Sequence, residues 1–420
     1  MRILDCTRYA LSVSIAAAML CGCGGQRDMQ QPLGPPLASS QVERPGTPRA
    51  IQHVIVVVQE SRSFDNLFAG YPNADAPTKG LTNTGQYVPL KPITFEDKSC
   101  TVTYLMGRFG VVYDGGKMDG WNLLDPKDPF CPYTRVERSE TQPYWELAKR
   151  FALADRMFGS SIYADFAEQL YLIAGTTKTA PRTFVVGPPD SLPWNCYASN
   201  GTRTTELRSG NLRYDKGPFP CFTQFPTMAN LLDNAKVSWR GYYGSKGGGL
   251  ALNPFEAIKY IFSGPDQTRN LSRPATNILT DLKSGHLAAV SWVFSPGADS
   301  DFPGYGRGPK WVNSIVLATE KSRYWAHAAI VVVWDDSGEG RFYDDAAPPQ
   351  LTDVGLGIRL PMIVVSPYAK RDYVSHTTYQ FGSILKFIEE NWHLGSLGAT
   401  DKQSHSIGDI FDLTGSEPLL

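Results

Sequence analysis

Four short apolar runs punctuate the chain: His53 to Val58, Leu287 to Phe294, Ala328 to Trp334 and Leu360 to Val365. Each is rich in β-branched residues and bounded by Gly, Pro or charge, which is the pattern of a buried strand. Between them, helical spacing appears over Tyr144 to Phe151, Phe166 to Ile173, Met228 to Asn234, Trp311 to Thr319 and Phe381 to Trp392. Strands alternating with helices predict an α/β protein with a mainly parallel sheet and helices on both of its faces. The stretch from Pro181 to Pro226 has no long periodic segment and reads as a loop-rich excursion from the sheet, roughly 181–226. No internal repeat is visible.

Two of the strands end in acid. The run Ala328 to Val333 leads into Trp334-Asp335-Asp336-Ser337-Gly338, and Val54 to Val58 leads into Gln59-Glu60-Ser61-Arg62-Ser63-Phe64-Asp65. Ionised carboxylates are costly to desolvate unless a cation or a donor compensates them. Parallel sheets present their ligands at strand ends, so Glu60, Asp335 and Asp336 are candidate oxygen ligands for a metal ion. Spacing alone leaves open that these acids cap loops or helices. A third possibility is an ion network with Arg62, Arg156, Arg307 and Arg341.

Composition narrows the setting. The chain has 420 residues, of which 42% are apolar and 12% aromatic, enough for a sizeable core. A net charge of −1 supplies no basic field for nucleic acid. Arg2 and Arg8 flank the start of an apolar stretch, Tyr9 to Leu20, too short to span a bilayer. It ends in Leu20-Cys21-Gly22-Cys23, which resembles a bacterial lipoprotein processing site with Cys23 as the lipidated residue; an ordinary secretory signal is the alternative. The expected organisation is a signal over 1–23, a Pro-rich tether over 24–50 and one domain over 51–420. The protein is expected to be exported and held at the cell envelope by an N-terminal lipid anchor, or secreted. Cys100, Cys131, Cys196 and Cys221 then remain in an oxidising compartment. Three pairings are possible, and Cys100–Cys131 with Cys196–Cys221 is preferred because each closes a local loop.

The segment Glu60-Ser61-Arg62-Ser63-Phe64-Asp65 resembles the opening signature of a bacterial phosphoesterase family, Glu-Asn-Arg-(Ser/Thr)-Phe-Asp. That family contains phosphatidylcholine-cleaving phospholipase C and respiratory-burst-inhibiting acid phosphatases. The similarity continues through Lys117-Met118-Asp119-Gly120, Phe151 to Phe158, Leu170 to Gly175, Ser300-Asp301, Gly308 to Val312, Trp334-Asp335-Asp336, Phe342-Tyr343-Asp344, and Pro361 to Ser366 followed by His376. It implies an alkaline-phosphatase-like α/β/α sandwich and hydrolysis of phosphate esters or phospholipids, with a divalent metal ion beside a Ser or Thr nucleophile. Carried across, the metal residues are Glu60, Asp335 and Asp336, with Ser61 replacing the signature Asn. The ungapped nucleophile position is Asp165, with Ser160 or Ser161 available if the turn is shifted. His376 matches a family histidine.

Two family histidine positions hold Phe302 and Asp345, so imidazole gives way to apolar or carboxylate groups. Oxygen ligands alone, with Asp345 joining them, suit Ca²⁺ or Mg²⁺. Two functions follow: a phosphoesterase with an altered site, or a relative that binds a cation and a phosphorylated ligand without turnover. Substrate headgroup and oligomeric state are not fixed by these residues.

Overall fold

A computed structural model describes residues 49–413 except 101, 103–104, 164, 245–252, 336–340 and 350–353. The signal, the tether and Cys23 lie outside the described residues, and no described helix is long and apolar enough to cross a membrane.

The central sheet contains β1 (His53–Gln59), β2 (Ala152–Phe158), β3 (Trp239–Tyr242), β4 (Leu271–Ser272), β5 (Val290–Phe294), β6 (Ala328–Trp334), β7 (Arg359–Val365) and β8 (Tyr373–Ser375). Their spatial order is β4-β3-β5-β1-β6-β7-β2-β8. Only β7 runs against its neighbours, pairing antiparallel with both β6 and β2; every other pairing is parallel. Strands β1 and β6 sit at the centre and carry unbroken apolar runs, Val54 to Val58 and Ala328 to Trp334, because a strand covered on both faces has no solvent side to mark with polar residues.

The long helices are α2 (Arg138–Arg150), α3 (Asp165–Ala174), α4 (Met228–Asn234), α5 (Asn277–Ser284), α6 (Gly308–Glu320) and α7 (Phe381–Trp392), preceded by the short α1 (Phe64–Phe68). They pack in two groups, α2 and α5 against α6, and α4 and α7 against α3. In α7, Phe381, Ile384, Leu385 and Ile388 recur at helical spacing and are all buried. The mixed α/β architecture with a largely parallel sheet is the one expected.

Sequence periodicity found β1, β5, β6 and β7 but not β2. Ala-Leu-Ala-Asp-Arg-Met-Phe has no β-branched residue and carries Asp155 and Arg156, yet Asp155 is wholly buried. Tertiary hydrogen bonds, described below, make that burial tolerable. The region after α3 forms its own four-stranded antiparallel sheet over Lys178–Ala180, Thr183–Pro189, Thr204–Arg208 and Asn211–Arg213. Both preferred disulfides are present, Cys100–Cys131 and Cys196–Cys221.

Candidate active site

The register of β1 against β6 decides where the strand-end acids lie. Gln59 is paired with Trp334, so Glu60 and Asp335 leave the sheet side by side at the same edge. The amide of Asp335 donates to the Gln59 carbonyl at 2.9 Å, and the amide of Ser61 donates to the Asp335 carbonyl at 3.4 Å. Ser61 has φ of 60°, a left-handed conformation that turns the chain sharply at this point. A non-glycine residue held in that region is costly and clusters at functional sites. Glu60 is half-buried; Ser61 and Asp335 are buried. Asp336 lies outside the described residues.

Helix α3 brings its first turns to the same edge. Gln169, also buried, donates from Nε2 to Asp335 Oδ2 at 2.8 Å. Asp165 opens the helix one turn earlier, and its side chain lies outside the described residues. Both alternative hydroxyls accept from backbone: Ser160 Oγ from Phe381 N at 3.1 Å and Ser161 Oγ from Tyr163 N at 3.2 Å. Both serines are buried. Glu60, Ser61 and Asp335 offer oxygen donors only, a set that fits a hard divalent cation.

Asp301 underlies this edge and was not read as a site residue. Its Oδ2 accepts from Tyr144 Oη at 2.8 Å and from Trp334 Nε1 at 2.9 Å, while its carbonyl accepts from Arg62 Nε at 2.8 Å. One residue therefore ties down Trp334, next to Asp335, and Arg62, next to Ser61. Helix α6 begins tightly against it: a Cβ on Gly308 would lie 2.0 Å from Asp301 Oδ1. Burial pushes the Asp301 carboxyl up to about 6, opposed by Arg62 and by its two side-chain donors.

Asp345 is placed elsewhere, around Arg359 at the start of β7. The guanidinium donates from Nε to Asp344 at 3.0 Å and from Nη2 to Asp65 at 2.9 Å and Asp345 at 2.8 Å. Its Nη1 donates to the carbonyls of Asp75 at 2.7 Å and Asp155 at 3.1 Å. Ligand oxygens of Asp65, Asp344 and Asp345 lie within 4.8 Å of one another. Burial is the leading cause that raises the Asp65 and Asp345 carboxyls above the usual range and pushes Asp344 up to about 7; Arg359 opposes it at each. An ion network is present, but it joins Asp65, Asp344 and Asp345 to Arg359 and is not the one expected between the strand-end acids and Arg62, Arg156, Arg307 and Arg341. Of those four arginines, Arg62 serves the Asp301 carbonyl and Arg307 pairs with Asp299 at 3.1 Å. Arg156 and Arg341 lie over the rings of Phe158 and Phe302.

His376 follows the edge strand β8 with an exposed side chain. Its Nδ1 lies 2.8 Å from Oδ2 of the buried Asp155. That oxygen also accepts from the Asp75 amide at 2.9 Å. The pair orients the ring as a carboxylate orients a catalytic imidazole, with Nδ1–H toward the acid and Nε2 toward solvent.

Gln169, Asp301, Asp155 and Arg359 were not singled out from the sequence as site residues. Asp301 and Asp155 lay within matched motifs, which was a usable signal. For Gln169 and Arg359 no local pattern existed.

Residues 51–395 match the Phosphoesterase family. The chain is 23% identical over 425 residues to the non-hemolytic phospholipase C of Burkholderia pseudomallei, covering 85% of this chain and 57% of that protein. It is 22% identical over 468 residues to the hemolytic phospholipase C of Pseudomonas aeruginosa, covering 97% and 62%. Phospholipase C A of Mycobacterium tuberculosis is 22% identical over 432 residues, covering 87% and 77%. The chain thus spans about three-fifths of the length of the first two relatives. Among solved structures, a protein in the alkaline phosphatase superfamily from Vibrio parahaemolyticus overlays with a TM-score of 0.38 at 9% identity, covering 86% of this chain and 72% of that one. That likeness is too distant to assign anything.

Proposed function

We propose that this chain, which belongs to the Phosphoesterase family, hydrolyses phosphate esters of the phospholipid class at the edge formed by β1, β6 and α3. The observation that carries the reading is the pairing of Gln59 with Trp334, which sets Glu60 beside Asp335. Glu60, Asp335, Asp336 and the Ser61 hydroxyl would hold a divalent cation, Ca²⁺ or Mg²⁺ by donor chemistry. Such an ion supplies Lewis acidity toward a phosphoryl oxygen. Gln169 fixes the carboxylate plane of Asp335, as outer partners of metal ligands do. Asp165, at the nucleophile position of the family motif, attacks phosphorus or acts as base toward water. His376, oriented by Asp155, exchanges a proton at Nε2 with the leaving oxygen.

Asp345 in this reading is a member of the Arg359 network and not a metal ligand. The protein works outside the cytoplasm, lipid-anchored through Cys23 after loss of residues 1–22; the two disulfides support the oxidising compartment.

A second reading, cation binding without turnover, is favoured by the Ser160 and Ser161 hydroxyls, which accept from backbone amides. One experiment separates the two. Purified protein is assayed on aryl phosphates, phosphodiesters and phospholipid vesicles, with metal content measured on the same sample. Hydrolysis that chelation abolishes and Asp165→Asn lowers supports the enzyme. Bound metal with no hydrolysis of any substrate supports the binding protein, and full activity in Asp165→Asn removes that residue from the mechanism.

A further inference from the structure

Three cations converge on a cavity that lies apart from the acidic edge and plays no part in the reading above. Lys79 from the strand Lys79–Leu81, Arg135 from the strand Thr134–Val136 and Arg138 from the start of α2 all line a cleft of about 500 Å³. Among the described residues no acid lines it, and none of the three cations forms an ion pair. The nearby acids are occupied: Glu140 accepts the Phe95 amide at 2.7 Å, and Glu146 is held by Gln142 at 2.7 Å.

Three further features point to an anion. The cleft is lined by Arg138 and Thr141 from the first turn of a thirteen-residue helix whose N-cap, Glu137, makes no side-chain capping bond, with Glu140 the acid of that turn. Thr141, buried and lining the cavity, has a hydroxyl with no hydrogen-bond partner. Trp145 forms a wall, with the Arg138 guanidinium stacked 4.0 Å over its ring and its own Nε1 fixed to the Leu67 carbonyl at 2.9 Å. Stacking pre-organises an arginine for bidentate contact with a phosphate.

We infer that this cleft is a second, non-catalytic site for a phosphate group carrying a small polar substituent, recognised by Lys79, Arg135, Arg138 and the start of α2. The cleft of about 500 Å³ has ample room for a glycerophosphate moiety. Such a group reaches the cleft either as a soluble phosphate ester or as the headgroup of an anionic phospholipid, and the chemistry of recognition is the same.

The test uses the full exported chain carrying Asp335→Ala, so that binding at the proposed metal edge does not contribute. Titration calorimetry with glycerol 3-phosphate is expected to show saturable binding. Replacing Lys79, Arg135 and Arg138 together by Ala is expected to weaken it at least about tenfold, while Lys149→Ala, the loss of one positive charge at the far end of α2, leaves it unchanged. Co-sedimentation with phosphatidylcholine vesicles, alone or mixed with phosphatidylglycerol, identifies the source. Capture by the mixed vesicles, lost in the triple variant, assigns a lipid headgroup; binding of glycerol 3-phosphate alone assigns a soluble ester. Should the triple variant melt early, Lys79→Ala and Arg135→Ala are measured singly. Absence of saturable binding, or binding that survives these substitutions, overturns the site, and neither result touches the phosphoesterase reading.

Discussion

Two groups of carboxylates occupy the same edge of the central sheet and are compensated differently. Asp65, Asp344 and Asp345 surround Arg359, whose five N–H donors are all engaged. Asp335 receives the neutral amide of Gln169 and lies in register with Glu60. The first group is a self-contained network: its planar cation matches the acids around it, and burial raises the Asp65 and Asp344 carboxyls above the usual range against the opposing pull of Arg359. The second group is assembled by two parallel strands and a helix start, with a left-handed residue forcing the chain to turn. Clustering of acids alone would have chosen the Arg359 network as the metal centre. Strand register and the identity of the neighbours favour the second group.

The largest expected effect separates the two groups directly. Asp335→Ala should lower divalent-cation affinity by more than about 100-fold, beyond the 10- to 100-fold typical of losing an outer partner, whereas Asp345→Asn should leave it unchanged. Calorimetric titration of both variants checks this, and equal losses would merge the two clusters into one site. Next in size, Arg359→Ala strands buried carboxylates without their cation and should cost about 3–5 kcal/mol of stability, the scale for breaking a buried ion pair. Urea unfolding midpoints measure it; an unchanged midpoint would deny the network its structural role.

Gln169→Ala is expected to weaken cation affinity by about 10-fold and, by taking one donor from the buried Asp335 carboxylate, to lower the unfolding free energy by about 1–3 kcal/mol. A stability loss without an affinity loss would make Gln169 a packing residue. The smallest effect concerns pH. Asp301 holds its proton more tightly in the folded state, with its carboxyl pushed up to about 6. Its contribution to stability is therefore full below the unfolded-state value near 3.8 and fades as pH rises through about 6. Asp301→Asn keeps an oxygen for Tyr144 and Trp334 and should flatten that decline. Melting temperatures between pH 4 and pH 7, read on both proteins, decide it, and parallel curves would show that Asp301 is ionised throughout.

The strands that face core on both sides were legible as unbroken apolar runs, and so were the acids that end β1 and β6. Local loop closure was enough to pair the cysteines. Strand β2 was not legible as a strand, because Asp155 and Arg156 interrupt it and the compensating contacts come from Asp75, Arg359 and His376, far away in sequence. The same holds for Gln169, which shares the first turns of α3 with Asp165 and Glu168 and is not distinguished from them by local pattern. It acquires a meaning only when α3 is laid against the end of β6.

Residue order alone thus determined the class of fold, the central strands and which carboxylates arrive at their ends, because hydrophobic periodicity is a local property of the chain. The tertiary structure decided which acids share a neighbourhood, which of them meets a guanidinium and which a neutral amide, and where unpaired cations gather beside Trp145. Those outcomes depend on strand register and on charges from distant segments, and a carboxylate's solvation and proton affinity follow from what surrounds it in space.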